Sequence, residues 1–269
     1  MGRRQQKLEV ARKKLLDGIG VPELHEFKPD PFQSEAIESL HDGVDTLVIA
    51  PTGAGKTYIA VEAIRRVVEE GARAVYTAPL KALSNAKYTE FKNKFEPEHR
   101  VGLLTGDRKI EGDAAIVVAT TEIYRNELYD LKERGRYSLV VLDEFHYLAD
   151  AQRGPVWEES VILSARSSTL LMLSASISNA QQVADWIHDI RGREVRIVSI
   201  QERPVELRLA FLHPEYGVIP LENENHEIFT EVKEFYAGAK SGGRRGKGGR
   251  RRYQGGRKGG RSGSGKKKR

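Results

Sequence analysis

Short, continuous apolar runs alternate with amphipathic stretches through most of this chain. Val44–Ala50 reads as a buried strand, and strand-like runs recur at Ala74–Ala78, Ala114–Ala119, Ser138–Leu142 and Leu170–Ser174. Between them lie stretches of helical period: Lys56–Glu70, with Ile59, Ala60, Ala63, Ile64, Val67 and Val68 on one side and Gly71 as its stop, then Lys81–Phe95, Thr121–Lys132, Pro155–Ala165 and Ala180–Ile190. Apolar strands separated by helices predict an α/β domain, a mainly parallel sheet with helices on both faces. Glu194–Ser199 fits a last strand, and Val205–Leu212 alternates enough to be another. Pro214–Glu234 is acidic and loses clear periodicity. Ahead of the body, Leu8, Ala11, Leu15 and Leu16 recur at helical spacing before Gly18, which predicts an amphipathic lead-in helix packed on the body with a solvated basic face. The expected organisation is a lead-in over 1–24, the α/β domain over 25–213, an acidic linker over 214–240 and a tail over 241–269.

Charge sharpens the last boundary. The 269 residues hold 44 Lys and Arg against 38 Asp and Glu, a net +6. From Ala237 to Arg269 there are 14 basic residues, no acidic ones and 12 glycines, so residues 1–236, with 30 basic and 38 acidic groups, carry −8. Glycine resists ordering and like charges repel, which predicts a disordered tail on an acidic body. The chain has no cysteine, which excludes disulfide scaffolds, thiolate zinc sites and thiol nucleophiles. No run approaches the ~20 apolar residues of a membrane span. The opening Met1-Gly2-Arg3-Arg4-Gln5 has no apolar signal segment, so a cytoplasmic, membrane-free protein is expected.

Two segments carry chemistry. Ala50-Pro-Thr-Gly-Ala-Gly-Lys-Thr57 lies between the first strand and its helix, where a phosphate-binding loop must sit. Glycines let backbone N–H groups turn towards phosphate oxygens, and the helix N-terminus adds partial positive charge. Thr52, Gly53, Ala54 and Gly55 form the cradle, Lys56 reaches the β- and γ-phosphates, and the Thr57 hydroxyl ligates Mg²⁺. The first position departs from the strict pattern, with Ala50 in place of glycine. Further on, Tyr137–Leu142 reads as a buried strand ending in Asp143-Glu144-Phe145-His146. The carboxyl end of a parallel strand is where α/β sheets bind ligands. There Asp143 would hold Mg²⁺ through its water shell, and Glu144 would orient and deprotonate an attacking water.

Asp-Glu-Phe-His after an apolar strand resembles the DExH signature of superfamily 2 helicases. The surrounding sequence is similar to the superkiller-type RNA helicases that work with RNA-degrading machinery. Further stretches carry the resemblance: Phe27–Gln33, Thr77–Asn85, Gly102–Asp107, Ala119–Glu122, Arg153–Glu159, Leu173–Asn179 and Glu202–Val205, in the family's order. The resemblance implies a RecA-like P-loop NTPase domain using ATP and Mg²⁺. It also implies that Gln33 bonds the adenine edge and Phe27 packs on the base. Pro79, Lys81, Thr105, Gly106, Thr120 and Thr121 would meet the sugar–phosphate backbone of one RNA strand, a role for short side chains and exposed N–H groups. His146 and Ser174-Ala175-Ser176 would couple nucleotide state to strand grip. Ser176 stands where the family has threonine, keeping the hydroxyl and losing the methyl.

Such helicases place ATP between two RecA-like domains, the second supplying an arginine finger. This chain is expected to stop before it. Gln254–Arg261 in the tail superficially resembles the family's late glycine–arginine motif, but the register is wrong and it reads as low-complexity sequence. The leading expectation is the first motor domain of an ATP-dependent RNA helicase, weak in hydrolysis by itself. The alternatives are a stand-alone ATP-gated RNA-binding module with the tail as a clamp, or a DNA-directed helicase of the same superfamily.

Overall fold

Strands that are apolar at most positions demand cover on both sheet faces, and the computed structural model supplies it. It describes residues 3–17, 28–203, 207–223 and 225–242. Contacts divide the chain into a larger unit, Leu24–Glu206, and a smaller one in which Met1–Glu23 joins Leu207–Arg269. In chain order the elements begin with α1 (Arg3–Leu16), α2 (Pro31–His41), β1 (Asp45–Ile49), α3 (Lys56–Glu69), β2 (Ala74–Ala78) and α4 (Lys81–Phe95). Then come β3 (Val101–Leu104), β4 (Lys109–Ile110), β5 (Ile116–Thr120), α5 (Thr121–Glu127) and β6 (Leu139–Leu142). A 3-10 turn (Phe145–Ala149), α6 (Gly154–Leu163), β7 (Thr169–Ser174), α7 (Ala180–Arg191) and β8 (Val195–Ser199) complete the larger unit. The smaller unit adds β9 (Ala210–His213), β10 (Gly217–Pro220) and α8 (Thr230–Gly242) to α1.

The larger unit is one eight-stranded sheet in the order β4-β3-β5-β2-β6-β7-β1-β8. All pairings are parallel except β3 with β4. Alternate strand residues feed two cores. Val48, Tyr76 and Val141 pack under α2, α3 and α4 with Phe32, Ile64, Phe91 and Phe95. Leu47, Val75 and Val140 pack under α5, α6 and α7 with Tyr124, Trp157, Val161 and Ile187. This is the expected α/β architecture, and the bounds of β2 and α4 are those read from the sequence.

Beneath the start of β1 lies a charged cluster the pattern did not show. Asp45 is fully buried and Arg191, at the end of α7, is 2% exposed. Arg191 Nε donates to Asp45 Oδ2 at 2.7 Å, and its terminal nitrogens donate to the carbonyls of Ser164, Ala165 and Ser168. The other Asp45 oxygen accepts from the Leu170 amide at 2.9 Å. One ion pair thus ties together the start of β1, the ends of α6 and α7 and the start of β7.

Three expectations change. Helix α5 ends at Glu127 rather than Lys132, because the Asp130 carboxylate accepts from the Lys132 amide and diverts the chain into turns. The stretch expected as an acidic linker carries β10 and α8. Strand β10 pairs antiparallel with β9, so β9 is part of a separate two-stranded sheet. Strand β9 overlaps the expected strand Val205–Leu212, whereas the four residues of β10 are too few for alternation to stand out among acidic neighbours. Helix α1 buries Leu8 in the same small core as Ile219 and Val232, which places the lead-in helix with the C-terminal residues.

Candidate active site

The carboxyl ends of the parallel strands form one edge, and strand order sorts the sequence motifs along it. β6, β7 and β1 are neighbours, and after them come Asp143-Glu144, Ser174-Ala175-Ser176 and the Ala50–Thr57 loop. β3, β5 and β2 are also neighbours, and they end next to Thr105, at Thr120 and next to Pro79. Neighbouring strands lie ~4.8 Å apart, so each set of three spans about 10 Å. The nucleotide candidates and the strand-contact candidates occupy adjacent stretches of the same edge.

Gly53 and Gly55 turn the loop with φ of +90° and +80°, and Gly55 is the N-cap of α3. A helix start leaves N–H groups without intrahelical partners, suited to phosphate oxygens. Lys56 begins α3, and its ammonium donates to the carbonyls of Ala50 (2.6 Å) and Pro51 (3.2 Å). Burial lowers the Lys56 pKa, opposed by the charges of Glu144 and Asp143, so the lysine and both carboxylates share one electrostatic neighbourhood. Gln33 is buried under the loop. Its Nε2 donates to the Ala54 carbonyl at 3.1 Å, and its Oε1 accepts from the Asp30 amide at 2.9 Å. The structure therefore uses Gln33 to brace the phosphate loop. Phe27 lies outside the described residues.

A Cβ at Gly55 would fall 2.4 Å from Gln33 Nε2, in a backbone conformation that L residues rarely adopt. Gly55→Ala is expected to lower stability by about 1–3 kcal/mol and to dislodge Gln33 from the loop. Urea unfolding beside titration with an ATP analogue checks both parts.

Asp143 ends its strand held from two sides. Tyr76 donates its phenol proton to Oδ2 at 2.5 Å, and the Glu144 amide donates to Oδ1 at 2.9 Å. Burial first, then Asp143, raises the Tyr76 pKa well above its ordinary value, which keeps the phenol a donor. Glu144 adopts φ +53°, a left-handed conformation uncommon for a non-glycine residue and concentrated at functional sites. Its carboxylate lies 3.3 Å from His146 Nδ1, at ion-pair distance but without hydrogen-bond geometry. The His146 ring stacks on Tyr147 (5.0 Å), and Tyr147 stacks on the buried Trp157 (5.3 Å). Ser174 Oγ donates to the Ser176 carbonyl, and the Ala50 amide donates to the Ser174 carbonyl, so the coupling segment is bonded directly to the start of the phosphate loop.

Thr57 and Asp143 offer a hydroxyl and a carboxylate, hard oxygen donors that suit Mg²⁺. Among the described residues no group of three or more His, Cys, Asp or Glu gathers to hold a metal alone. Mg²⁺ normally keeps several waters and takes one or two protein oxygens with substrate phosphates, which these donors match.

On the other half of the edge, Lys81 Nζ lies 3.1 Å from Asp107 Oδ1, and Arg108 donates to Asn85 Oδ1 at 2.6 Å. The turn after β3 is thus clasped to the first turns of α4. Hydrogen bonds from Lys81 and Thr105 hold the Asp107 carboxyl below its usual range. Lys81 and Gly106 are exposed, whereas Pro79, Thr105, Thr120 and Thr121 are buried. The Thr121 hydroxyl faces that of Thr77 at 3.5 Å and is buried inside the sheet.

Sequence reasoning missed Tyr76, Lys87, Asn85 and Arg108. Tyr76 carried a signal, because a phenol in a fully buried parallel strand requires a polar partner. The three residues on and beside α4 look like any solvated helix face.

Residues 30–183, more than half of the chain, match the family described as DEAD/DEAH box helicase. The chain belongs to the DEAD/DEAH box helicase family. It is 43% identical over 208 residues to the DExH-box ATP-dependent RNA helicase DExH15, chloroplastic, of Arabidopsis thaliana, covering 75% of this chain and 18% of that protein. With superkiller complex protein 2 of Mus musculus the identity is 42% over 182 residues, covering 67% and 14%. The chain spans about a fifth or less of the length of the curated relatives it matches. The fold resembles that of the DUF1998 helicase MrfA in its DNA-bound crystal structure, with a TM-score of 0.53, 18% identity and coverage of 74% of this chain and 30% of that one. Membership in this family implies the use of ATP.

Proposed function

We propose that this helicase domain is the ATP-binding motor half of an RNA helicase, coupling ATP hydrolysis to movement on or unwinding of RNA. The observation that carries this is the sorting of motifs along one sheet edge, with the nucleotide set after β6, β7 and β1 beside the strand set after β3, β5 and β2. Lys56 neutralises the β- and γ-phosphates, and Thr57 and Asp143 hold Mg²⁺. Bound there, Mg²⁺ supplies charge to the phosphate oxygens. Glu144 orients the attacking water and accepts its proton, while His146 and Ser174–Ser176 report the change to the strand rim. RNA is preferred over DNA because two Arabidopsis thaliana relatives at 43% identity are named as RNA helicases. An RNA-degrading complex as partner and the cytoplasm as compartment belong to the same proposal.

An arginine finger contributes about 10³ to 10⁵ in rate in P-loop enzymes, and in helicases of the resembled type it comes from a second RecA-like domain. The 269-residue chain by itself is therefore expected to bind ATP and turn it over slowly. Fluorescence anisotropy with labelled single-stranded RNA tests the strand half of the reading. A non-hydrolysable ATP analogue with Mg²⁺ should change RNA affinity both in the full chain and after deletion of 237–269. That deletion removes 14 positive charges and should flatten the salt dependence, whose slope is about −0.7 per neutralised phosphate on single strands. Loss of all RNA binding on deletion would instead support a clamp made by the tail.

A further inference from the structure

Lys87 sits on α4, six residues beyond Lys81 and so about 9 Å further along the helix axis. Its side chain is one-fifth exposed. The ammonium donates to Thr57 Oγ1 at 2.9 Å and to Glu90 Oε2 at 3.0 Å. It also lies 5.9 Å from the centroid of the Tyr76 ring, whose hydroxyl bonds Asp143. One cation therefore touches the hydroxyl of one candidate metal ligand and the ring that positions the other. None of the catalytic roles assigned above uses it.

We propose that Lys87 competes with the magnesium ion for the Thr57 hydroxyl and, by yielding to it, passes the ion's arrival to helix α4. A hydroxyl oxygen has two lone pairs, but an ammonium and a dication drawn to one oxygen repel each other at close range. Glu90, already 3.0 Å away, is the carboxylate that receives the displaced ammonium, and Lys94 binds its other oxygen at 3.2 Å. The consequence reaches the strand rim because α4 also carries Lys81 and Asn85, clasped to Asp107 and Arg108. Lys87 is thus a positioning residue that links the two halves of the sheet edge. This rests on the reading of the Ala50–Thr57 loop as an ATP–Mg²⁺ site.

The test is a Mg²⁺ titration of the 269-residue chain with a methylanthraniloyl-labelled ATP analogue, read by fluorescence, for the wild type, Lys87→Met and Glu90→Gln. Removing the competing charge should lower the half-saturating Mg²⁺ concentration about fivefold or more, the range of ordinary site coupling. Removing the receiving carboxylate should raise it. Methionine suits the contact with the Tyr76 ring, and Glu90 is a partly exposed surface residue, so the pair of opposite shifts is readable even if one variant is lost to misfolding. In anisotropy, Lys87→Met should bind single-stranded RNA equally with and without the Mg²⁺-loaded analogue, whereas the wild type discriminates. A Mg²⁺ midpoint unchanged or raised in Lys87→Met, or lowered in Glu90→Gln, overturns the inference. If the wild type fails to bind the analogue at any Mg²⁺ concentration, it is the ATP reading itself that falls.

Discussion

Replacing Lys56 by alanine is expected to weaken ATP binding by about a hundredfold while leaving the fold intact. The ammonium is the one full positive charge that the loop contributes, and charge-assisted hydrogen bonds to phosphate are worth ~1.5–3 kcal/mol each. Two such bonds account for a loss of that size, since ~1.4 kcal/mol is a factor of ten. The same side chain does little for the folded protein. Its own bonds go to the carbonyls of Ala50 and Pro51, at a loop that water can reach, and burial disfavours its charge. A thermal melt should move little, in contrast with the binding isotherm. Comparing both for Lys56→Ala separates a phosphate ligand from a structural lysine.

The largest stability effect is expected far from the nucleotide. Arg191→Ala should cost about 3–5 kcal/mol, because it leaves the buried Asp45 carboxylate with only the more distant Arg193, at 3.7 Å, and strips donors from three carbonyls. At roughly 2–4 °C per kcal/mol for a unit of this size, the melting temperature should fall by about 6–20 °C. The double variant Asp45→Ala with Arg191→Ala should recover part of the loss, since no isolated charge then remains inside. Urea denaturation of the two single variants and the double gives the coupling directly. Nucleotide affinity of the surviving folded fraction should be unchanged, because the pair lies at the start of β1 and the phosphate loop follows its end.

The parallel strands were legible because burial on both faces makes them continuous in apolar residues, as in Ala74–Ala78, whose every position is buried. The phosphate loop and Asp143-Glu144 were legible because their chemistry demands fixed residue types at strand ends. The short pieces were not. β3 and β4 have four and two residues, too few for a period, and β10, the partner of the expected strand β9, is hidden in acidic sequence. Polar residues that act through tertiary contacts were also invisible. Asp45 lies beside Thr46 in a mostly apolar run, and a charge in a buried strand requires a partner; its nearest, Arg191, is 146 residues away. Gln33 stood out only through the family resemblance, and its bracing of the loop shows only where α2 meets Ala54 and Gly55.

The central claim is that the Ala50–Thr57 loop, with Asp143 beside it, forms a Mg²⁺-dependent ATP site. Calorimetric titration of ATP into the 269-residue chain, with Mg²⁺ and then with a chelator, tests it most directly. The expected result is a single saturable site that weakens on chelation and weakens about a hundredfold in Lys56→Ala. Absence of saturable binding, or binding indifferent to both the chelator and the Lys56 substitution, would contradict it.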